Sequence, residues 1–260
     1  QWCPLCLNAA ELKMIVIVVG MHRSGTSAVA GILHLHGISM GSEKTFKPKP
    51  LPQNPMGFYE NFGFRKLSDK ILYKAGYKVK SFNSIIPQRI SAERYSAKME
   101  RLIDQQESEQ IHWGWKDLRV CLTLHCWLGL LENMELLHKT KIVFTYREAD
   151  SVANSLKRRD GLRKKESIRL WCEYNRRALI SINQNLVKTF YLSYEDLLNN
   201  PIDLCQKLFR FLEVDFKETV VNRFIDPNLN RSAIKDKSND DLSVVAITES
   251  LNKLSAKSLR

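Results

Sequence analysis

The chain has 260 residues, of which 44% are hydrophobic and 26% are charged, and this composition is typical of a folded globular protein. Its 40 lysine and arginine residues outnumber 28 acidic residues, which gives a formal net charge of +12. Such an excess favours an anionic partner: nucleic acid, a phosphate-bearing ligand, a sulfated glycan or an acidic membrane surface. No apolar run approaches the roughly 18 residues of a membrane-spanning helix, so the sequence predicts no transmembrane segment.

The densest basic stretch runs from Lys157 to Arg169 and contains seven cations against Asp160 and Glu166. Two interpretations fit it. It is either a solvated helix face or a surface that binds an anionic partner.

Cysteine usage argues against a secreted disulfide scaffold, because six cysteines are few for a chain of this size. No signal peptide precedes the first apolar segment, so we expect a cytoplasmic protein. Cys3 and Cys6 have metal-ligand spacing, and Cys121, His125 and Cys126 are conceivable partners. Neither group forms a convincing zinc knuckle and the second lies in a helical pattern, so we expect no metal site.

The first regular element is a strand. Residues Met14 to Gly20 are apolar and mostly β-branched, which is typical of a central parallel strand. We expect residues 1–13 to be an upstream extension outside the fold. Apolar residues at helical spacing predict a helix over residues 24–36. Prolines and glycines interrupt residues 41–62, which predicts a long loop, and such loops often carry function.

Strands and helices alternate along the rest of the chain, which predicts right-handed crossovers and an α/β fold. We therefore expect one domain over residues 14–260, a three-layer sandwich around a mostly parallel sheet, with ligands at the carboxyl ends of its strands. The further predicted strands cover residues 111–115, 141–146 and 188–193, and the predicted helices lie near residues 63–76, 90–110, 149–159, 166–186, 201–213, 217–225 and 240–257.

A glycine-bearing loop follows the first strand. The segment from Gly20 to Ser27 reads GMHRSGTS and has the position and spacing of a P-loop, so we predict a fold like that of the P-loop nucleoside triphosphate hydrolases. Thr26 replaces the P-loop lysine, and Arg23 supplies a cation inside the loop instead. Backbone N–H groups of such a loop and of the following helix bind anions.

The neighbouring strand, residues 141–146, is followed by Arg147. A magnesium-dependent NTPase needs an acidic residue at this point, whereas an arginine suits a second anionic group. A P-loop nucleotide kinase is therefore one alternative that the residues disfavour. Another alternative is a non-catalytic binder of anionic glycan or nucleic acid.

The GMHRSGTS segment resembles the 5′-phosphosulfate loop of sulfotransferases that use 3′-phosphoadenosine 5′-phosphosulfate (PAPS). Arg147, followed by Ser155 eight residues later, is similar to the 3′-phosphate signature of that superfamily. The segment from Tyr194 to Pro201, YEDLLNNP, resembles its YEDL...P segment, whose tyrosine lies beside the nucleotide. The similarity extends over about residues 14–231.

This resemblance implies transfer of a sulfuryl group from PAPS by in-line displacement without a metal. It implies that Arg147 and Ser155 bind the 3′-phosphate and that Tyr194 lies beside the nucleotide. The residues expected at the 5′-phosphosulfate are Arg23, Ser24, Gly25, Thr26 and Ser27.

A base must take the proton of the acceptor. Glu60 ends the segment NPMGFYE, which resembles the NP-x-G-(F/Y)-x-E segment of sulfotransferases with the same loop, and the resemblance implies that Glu60 is the base. A solvated loop glutamate is the alternative. His112 and His125 are the next candidates for the base.

A cation must stabilise the leaving phosphate. Lys116 lies in WGWKDLR, similar to the KDP segment of protein-tyrosine sulfotransferases, with Leu118 in place of proline. The predicted catalytic residues are thus Glu60, Lys116 and Arg23. We expect Asp117 to orient the loop and Arg119 to contact either substrate or an acidic core residue.

Trp171 and Tyr174 lie at helical spacing, and we expect them to belong to the core rather than to an acceptor platform.

The acceptor is expected to be a hydroxyl or amine, on a carbohydrate or lipid-linked sugar, since the basic surface would tolerate a polyanionic substrate. Nucleic acid is not an expected partner.

Overall fold

Four parallel strands form the centre of the protein, in the order β2-β1-β3-β4. They are β1 (Met14–Val19), β2 (His112–Lys116), β3 (Thr140–Tyr146) and β4 (Thr189–Ser193). The structure is a computed structural model that describes residues 13–51, 54–225 and 241–259. Residues 1–12 of the predicted extension lie outside the described residues, as do Cys3 and Cys6.

Ten helices surround the sheet in the described part of the chain. Their bounds are α1 (Thr26–Leu35), α2 (Phe62–Lys74), α3 (Ser96–Glu109), α4 (Val120–Asn133), α5 (Ala149–Asp160), α6 (Lys164–Asn185), α7 (Tyr194–Asn199), α8 (Pro201–Leu212), α9 (Glu218–Phe224) and α10 (Leu242–Ser258).

The central strand β1 separates two hydrophobic cores. Ile15 and Ile17 contact the core formed with α2 to α6 and α10, whereas Val16 and Val18 contact the core formed with α1, α8 and α9. All six residues of β1 are buried, which is why the strand is apolar on both faces. The predicted three-layer α/β fold is therefore confirmed.

Helix α7 was not expected from the sequence. It follows β4 without a loop, and Ser193 caps its first turn by accepting a hydrogen bond from the backbone N–H of Asp196. A serine followed three residues later by an acidic residue is a known helix start signal. The helix places the ring of Tyr194 directly beside the carboxyl end of the sheet.

The long loop predicted over residues 41–62 folds back on itself. Phe46 and Asn61 form an isolated antiparallel bridge. The backbone N–H of Lys47 donates to the carbonyl of Glu60 at 3.0 Å, and that of Phe62 donates to the carbonyl of Thr45 at 2.9 Å. Asn61 then caps α2 by accepting from the N–H of Gly63. These bonds fix Glu60 in a defined position although it belongs to no helix or strand.

We predict that Gly114→Ala destabilises the protein and that Gly129→Ala does not. A Cβ atom at Gly114 in β2 would lie 1.9 Å from the carbonyl oxygen of Val16, whereas one at Gly129 in α4 would meet nothing within 4 Å. Overpacking against a backbone costs about 1–3 kcal/mol or more, while alanine in a helix gains up to about 1 kcal/mol over glycine.

Urea unfolding of both variants measures the two effects. Equal midpoints for Gly114→Ala and the wild type would show that β1 and β2 are not packed at this distance.

Candidate active site

The loop between β1 and α1 lies at the carboxyl edge of the sheet. Arg23 (φ 67°) and Gly25 (φ 82°) both have left-handed backbone conformations, which turn the chain sharply into the helix. A Cβ atom at Gly25 would lie 2.2 Å from Cδ2 of Tyr194. Only glycine therefore fits between this loop and the tyrosine ring.

The amino end of α1 is suited to an anion. Its cap residue, Gly25, offers no side-chain hydrogen bond, and the first turn contains no acidic residue. The hydroxyl oxygen of Ser24 is buried and has no hydrogen-bond partner among the described residues. A buried hydroxyl without a partner is costly, so it indicates that a ligand or water completes this loop.

A second cationic group lies at the carboxyl end of β3. Arg147 is 5% exposed, its guanidinium carbon lies 4.8 Å from the ring centre of Tyr194, and its Nη1 donates to the carbonyl of Arg23 at 3.4 Å. Ser155 is also buried and accepts a hydrogen bond from Nε of Arg23 at 2.8 Å. Ser155 is therefore not a surface residue, and Arg23 links the end of β1 to the cationic group at the end of β3.

Burial opposes the charge of both arginines. It lowers the pKa of Arg23, and the neighbouring Arg159 and Arg147 lower it further. Burial also lowers the pKa of Arg147, although Glu195 acts in the opposite direction from 3.6 Å. A bound anion would offset the cost of keeping these buried side chains charged.

Arg159 is a residue of this region that the sequence analysis missed. It lies four residues after Ser155 on α5, with its guanidinium 6.0 Å from the ring centre of Phe82. Helical residues four apart share a face, and this spacing from Ser155 was the signal that could have found it.

Lys116 and Glu60 form a buried ion pair. Nζ of Lys116 donates to Oε1 of Glu60 at 2.8 Å and to the hydroxyl of Ser27 at 3.2 Å. The two residues are 2% and 4% exposed, so the interpretation of Glu60 as a solvated loop residue is wrong. Three segments, the end of β2, the long loop and the first turn of α1, thus meet at one point.

Further charges surround this pair. Nη1 of Arg65 lies 3.6 Å from Oε2 of Glu60. Arg119 binds Oδ1 of Asp117 through Nη1 at 2.8 Å and pairs through Nε with Asp69. Arg119 therefore contacts acidic residues, which is one of the two contacts expected for it, and Asp117 anchors the loop that follows Lys116, as expected.

The two histidines considered as alternative bases lie elsewhere. His112 begins β2 and pairs with Met14, at the opposite end of the strand from Lys116. His125 lies on α4, with Nε2 at 2.8 Å from the carbonyl oxygen of Ile90. Trp171 and Tyr174 are each 1% exposed, so both belong to the core.

His22 is a second residue that the sequence analysis missed. It is 9% exposed, its ring contacts Phe82 and Tyr174, and its Nε2 has no hydrogen-bond partner among the described residues. Burial lowers its pKa well below the usual value. The positive charges that add to this effect are Arg159, Arg119, Lys116 and Arg23.

The cations of the basic stretch Lys157 to Arg169 are all exposed.

Among the residues that the structure describes, no group of three or more His, Cys, Asp or Glu side chains could hold a metal ion. None of the described helices is both long and apolar enough to cross a membrane.

We predict that His22→Gln reduces the loss of stability in acid. In the folded protein the pKa of His22 lies below its unfolded value of about 6.5, so the unfolded chain binds more protons. Stability therefore falls as the pH drops below about 6.5, by up to about 1.4 kcal/mol per pH unit for this one group. Glutamine does not titrate and removes that contribution.

Urea unfolding at pH 7.5 and pH 5.5 measures the difference. The exposed His138 provides the control, since His138→Gln should retain the acid sensitivity of the wild type. An identical pH dependence of stability in His22→Gln and the wild type would contradict the assignment.

Comparisons with known proteins agree on one family. The profile of the Sulfotransferase family matches residues 16–218, and no curated protein matches the sequence. Several solved structures, among them two sulfotransferase domains, have a similar fold. The sulfotransferase domain from the curacin biosynthetic pathway is 16% identical, with a TM-score of 0.56 over 93% of this chain and 98% of its own.

The second is the sulfotransferase domain of the olefin synthase from Synechococcus PCC 7002. It is 18% identical, with a TM-score of 0.57 over 92% of this chain and 94% of its own. At these identities the structures establish the fold, while the profile match extends over most of the sequence. The chain is therefore a member of the sulfotransferase family.

Proposed function

We propose that the protein, as a single domain over residues 14–260, transfers a sulfuryl group from PAPS to a hydroxyl or amine acceptor without a metal. One observation carries this proposal. Two cationic clusters lie at the ends of the adjacent strands β1 and β3, one with Arg23 and the other with Arg147 and Ser155. Arg23 joins the two clusters by its hydrogen bond to Ser155. PAPS has anionic groups at both its 5′ and 3′ ends, so two linked anion sites match it.

The residues present fit such a donor. The loop residues Ser24 to Ser27, with the unpartnered hydroxyl of Ser24 and the uncapped end of α1, would hold the 5′-phosphosulfate. Arg147 and Ser155 would hold the 3′-phosphate, and the ring of Tyr194 would lie beside the nucleotide. When bound, PAPS supplies an activated sulfuryl group on a phosphate leaving group.

Lys116 is the proposed cation for the leaving group. An ammonium group has three donors, and Lys116 uses two of them, toward Glu60 and Ser27. The third is available to stabilise negative charge as it grows on the bridging oxygen. Arg23 is the other proposed catalytic cation, because it lies inside the loop that would face the transferring group.

Glu60 is the proposed base. Its Oε1 accepts from Lys116, and Oε2 remains available to take the acceptor proton. The carboxylate would take the acceptor proton, and the lysine would stabilise the negative charge on the leaving phosphate. Each of these two charge changes would thus have its own residue.

For the acceptor we propose a carbohydrate or lipid-linked sugar. The exposed cations from Lys157 to Arg169 lie on the hairpin of α5 and α6, and Arg159 of this stretch is near His22 and Arg23. A basic surface beside the site tolerates a substrate that already carries negative charge.

We predict that Arg147→Ala weakens binding of adenosine 3′,5′-bisphosphate by about 1.5–3 kcal/mol, the usual value of a charge-assisted hydrogen bond. Binding of adenosine 5′-phosphate should change little, because this ligand lacks the 3′ group. Ser155→Ala should likewise weaken binding of adenosine 3′,5′-bisphosphate more than binding of adenosine 5′-phosphate. Isothermal titration calorimetry in EDTA measures both ligands.

Arg163→Ala is the matched control, since Arg163 is exposed and pairs with the neighbouring Glu166. Equal losses for both nucleotides would refute the 3′ assignment, and a strict requirement for magnesium would refute metal-free binding.

We predict that Glu60→Gln lowers sulfuryl transfer by about 10²- to 10⁴-fold, the usual contribution of a positioned base, while donor binding is retained. The amide keeps the size and the contact with Lys116 but cannot take a proton. A screen with labelled PAPS in EDTA, across carbohydrate, lipid, peptide and phenol acceptors, measures transfer.

Lys116→Ala should also reduce transfer, and its defect should shrink with a donor that has a better leaving group. The defect of Glu60→Gln should instead shrink with more acidic acceptors. Wild-type transfer by Glu60→Gln would place the base elsewhere.

A further inference from the structure

Arg65 lies beside the proposed base but was not singled out by its sequence. It belongs to the second turn of α2, and its side chain is 20% exposed. Its Nη1 is 3.6 Å from Oε2 of Glu60 and donates to the carbonyl of Lys47 at 3.1 Å. The N–H of Lys47 in turn donates to the carbonyl of Glu60 at 3.0 Å. These contacts form a closed ring that fixes both the backbone and the side chain of Glu60.

The two carboxylate oxygens of Glu60 have different contacts. Oε1 accepts a short hydrogen bond from Lys116 at 2.8 Å, whereas Oε2 faces Arg65 at a distance that is too long for a hydrogen bond. A cation at 3.6 Å stabilises the charge of a carboxylate without occupying its lone pairs. Oε2 therefore keeps lone pairs that are available to accept a proton.

Among the described residues, the other charged side chains near Glu60 have different contacts. Lys116 at the end of β2 is bonded to Oε1. Arg119 is paired with Asp117 and Asp69. Ser27 of α1 contacts Lys116 rather than the carboxylate.

We propose that Arg65 is a positioning residue for sulfuryl transfer, which holds Oε2 of Glu60 in the orientation that takes the acceptor proton. This proposal rests on the proposed role of Glu60 as the base. Arg65 becomes important when Lys116 also contacts the leaving group, because the lysine charge is then shared between two anionic partners.

Helix α2 provides the rigid support for this role. Asp69 lies four residues after Arg65, so the two side chains project from neighbouring turns of one face. Asp69 contacts Arg119, which binds the loop after Lys116 through Asp117. One helix thus holds both the base and the segment that carries the proposed leaving-group cation.

The test uses transfer to water, followed as release of adenosine 3′,5′-bisphosphate from PAPS in EDTA, so that no acceptor need be known. In Arg65→Met the kcat should fall about tenfold, because a base that is no longer held in place is poorly oriented for the reaction. The KM for PAPS should be unchanged.

A direct readout comes from the side-chain carboxyl resonance of Glu60 in protein labelled with ¹³C-glutamate, assigned by its absence in Glu60→Gln. Its chemical shift should change in Arg65→Met, because the carboxylate loses a cation that lies 3.6 Å away. Arg65→Lys should restore most of the kcat and of the chemical shift, because it retains the charge. Lys66→Met removes an exposed cation from the same helix and should leave both readouts at wild-type values.

The outcomes separate the two proposals. If Glu60→Gln is inactive while neither readout moves in Arg65→Met, the role of Arg65 is refuted and the base assignment stands. If Glu60→Gln keeps wild-type turnover, the base assignment fails, and Arg65 has no role in the reaction. A lower unfolding midpoint with an unmoved resonance would identify Arg65 as structural only.

Discussion

The buried ion pair between Lys116 and Glu60 is the contact on which the arrangement of the site depends. It joins the end of a central strand to a loop that has no secondary structure at this residue. Removal of one partner from a buried pair leaves an uncompensated charge, at a cost of about 3–5 kcal/mol. The pair therefore selects one conformation of the loop, and the contacts of Arg65 and Lys47 reinforce it.

The sequence was sufficient to predict the fold because the signals of the sheet are local. Each strand is a short apolar or aromatic run, and the loop from Gly20 to Ser27 has a spacing that requires a strand before it and a helix after it. All four predicted strands are present, with bounds that differ by one residue. The unpredicted α7 is only six residues long, too short for helical periodicity to identify.

The contacts of the site were harder to predict, because they join residues far apart in the chain. Glu60 and Lys116 are 56 residues apart, and Arg23 and Ser155 are 132 apart. The motifs indicated which residues to examine but not that Arg23 would contact Ser155. His22 was overlooked because its neighbours come from the loop of Phe82 and from α6, which only the folded chain brings together.

Charge is distributed unevenly across this edge of the sheet. Around Glu60, the three cations Lys116, Arg65 and Arg119 lie beside the three carboxylates of Glu60, Asp117 and Asp69, so this side is balanced without a ligand.

Around the proposed donor site, the cations Arg23, Arg147, Arg158 and Arg159 outnumber the nearby carboxylates of Glu148, Asp160 and Glu195, and the positive end of α1 adds to the excess. An anionic donor would thus be attracted to the cations of the proposed donor site. A hydroxyl acceptor would instead meet the network around Glu60, in which the charges are balanced. The neutral imidazole of His22, buried between the two groups of cations, avoids a further positive charge where they approach each other.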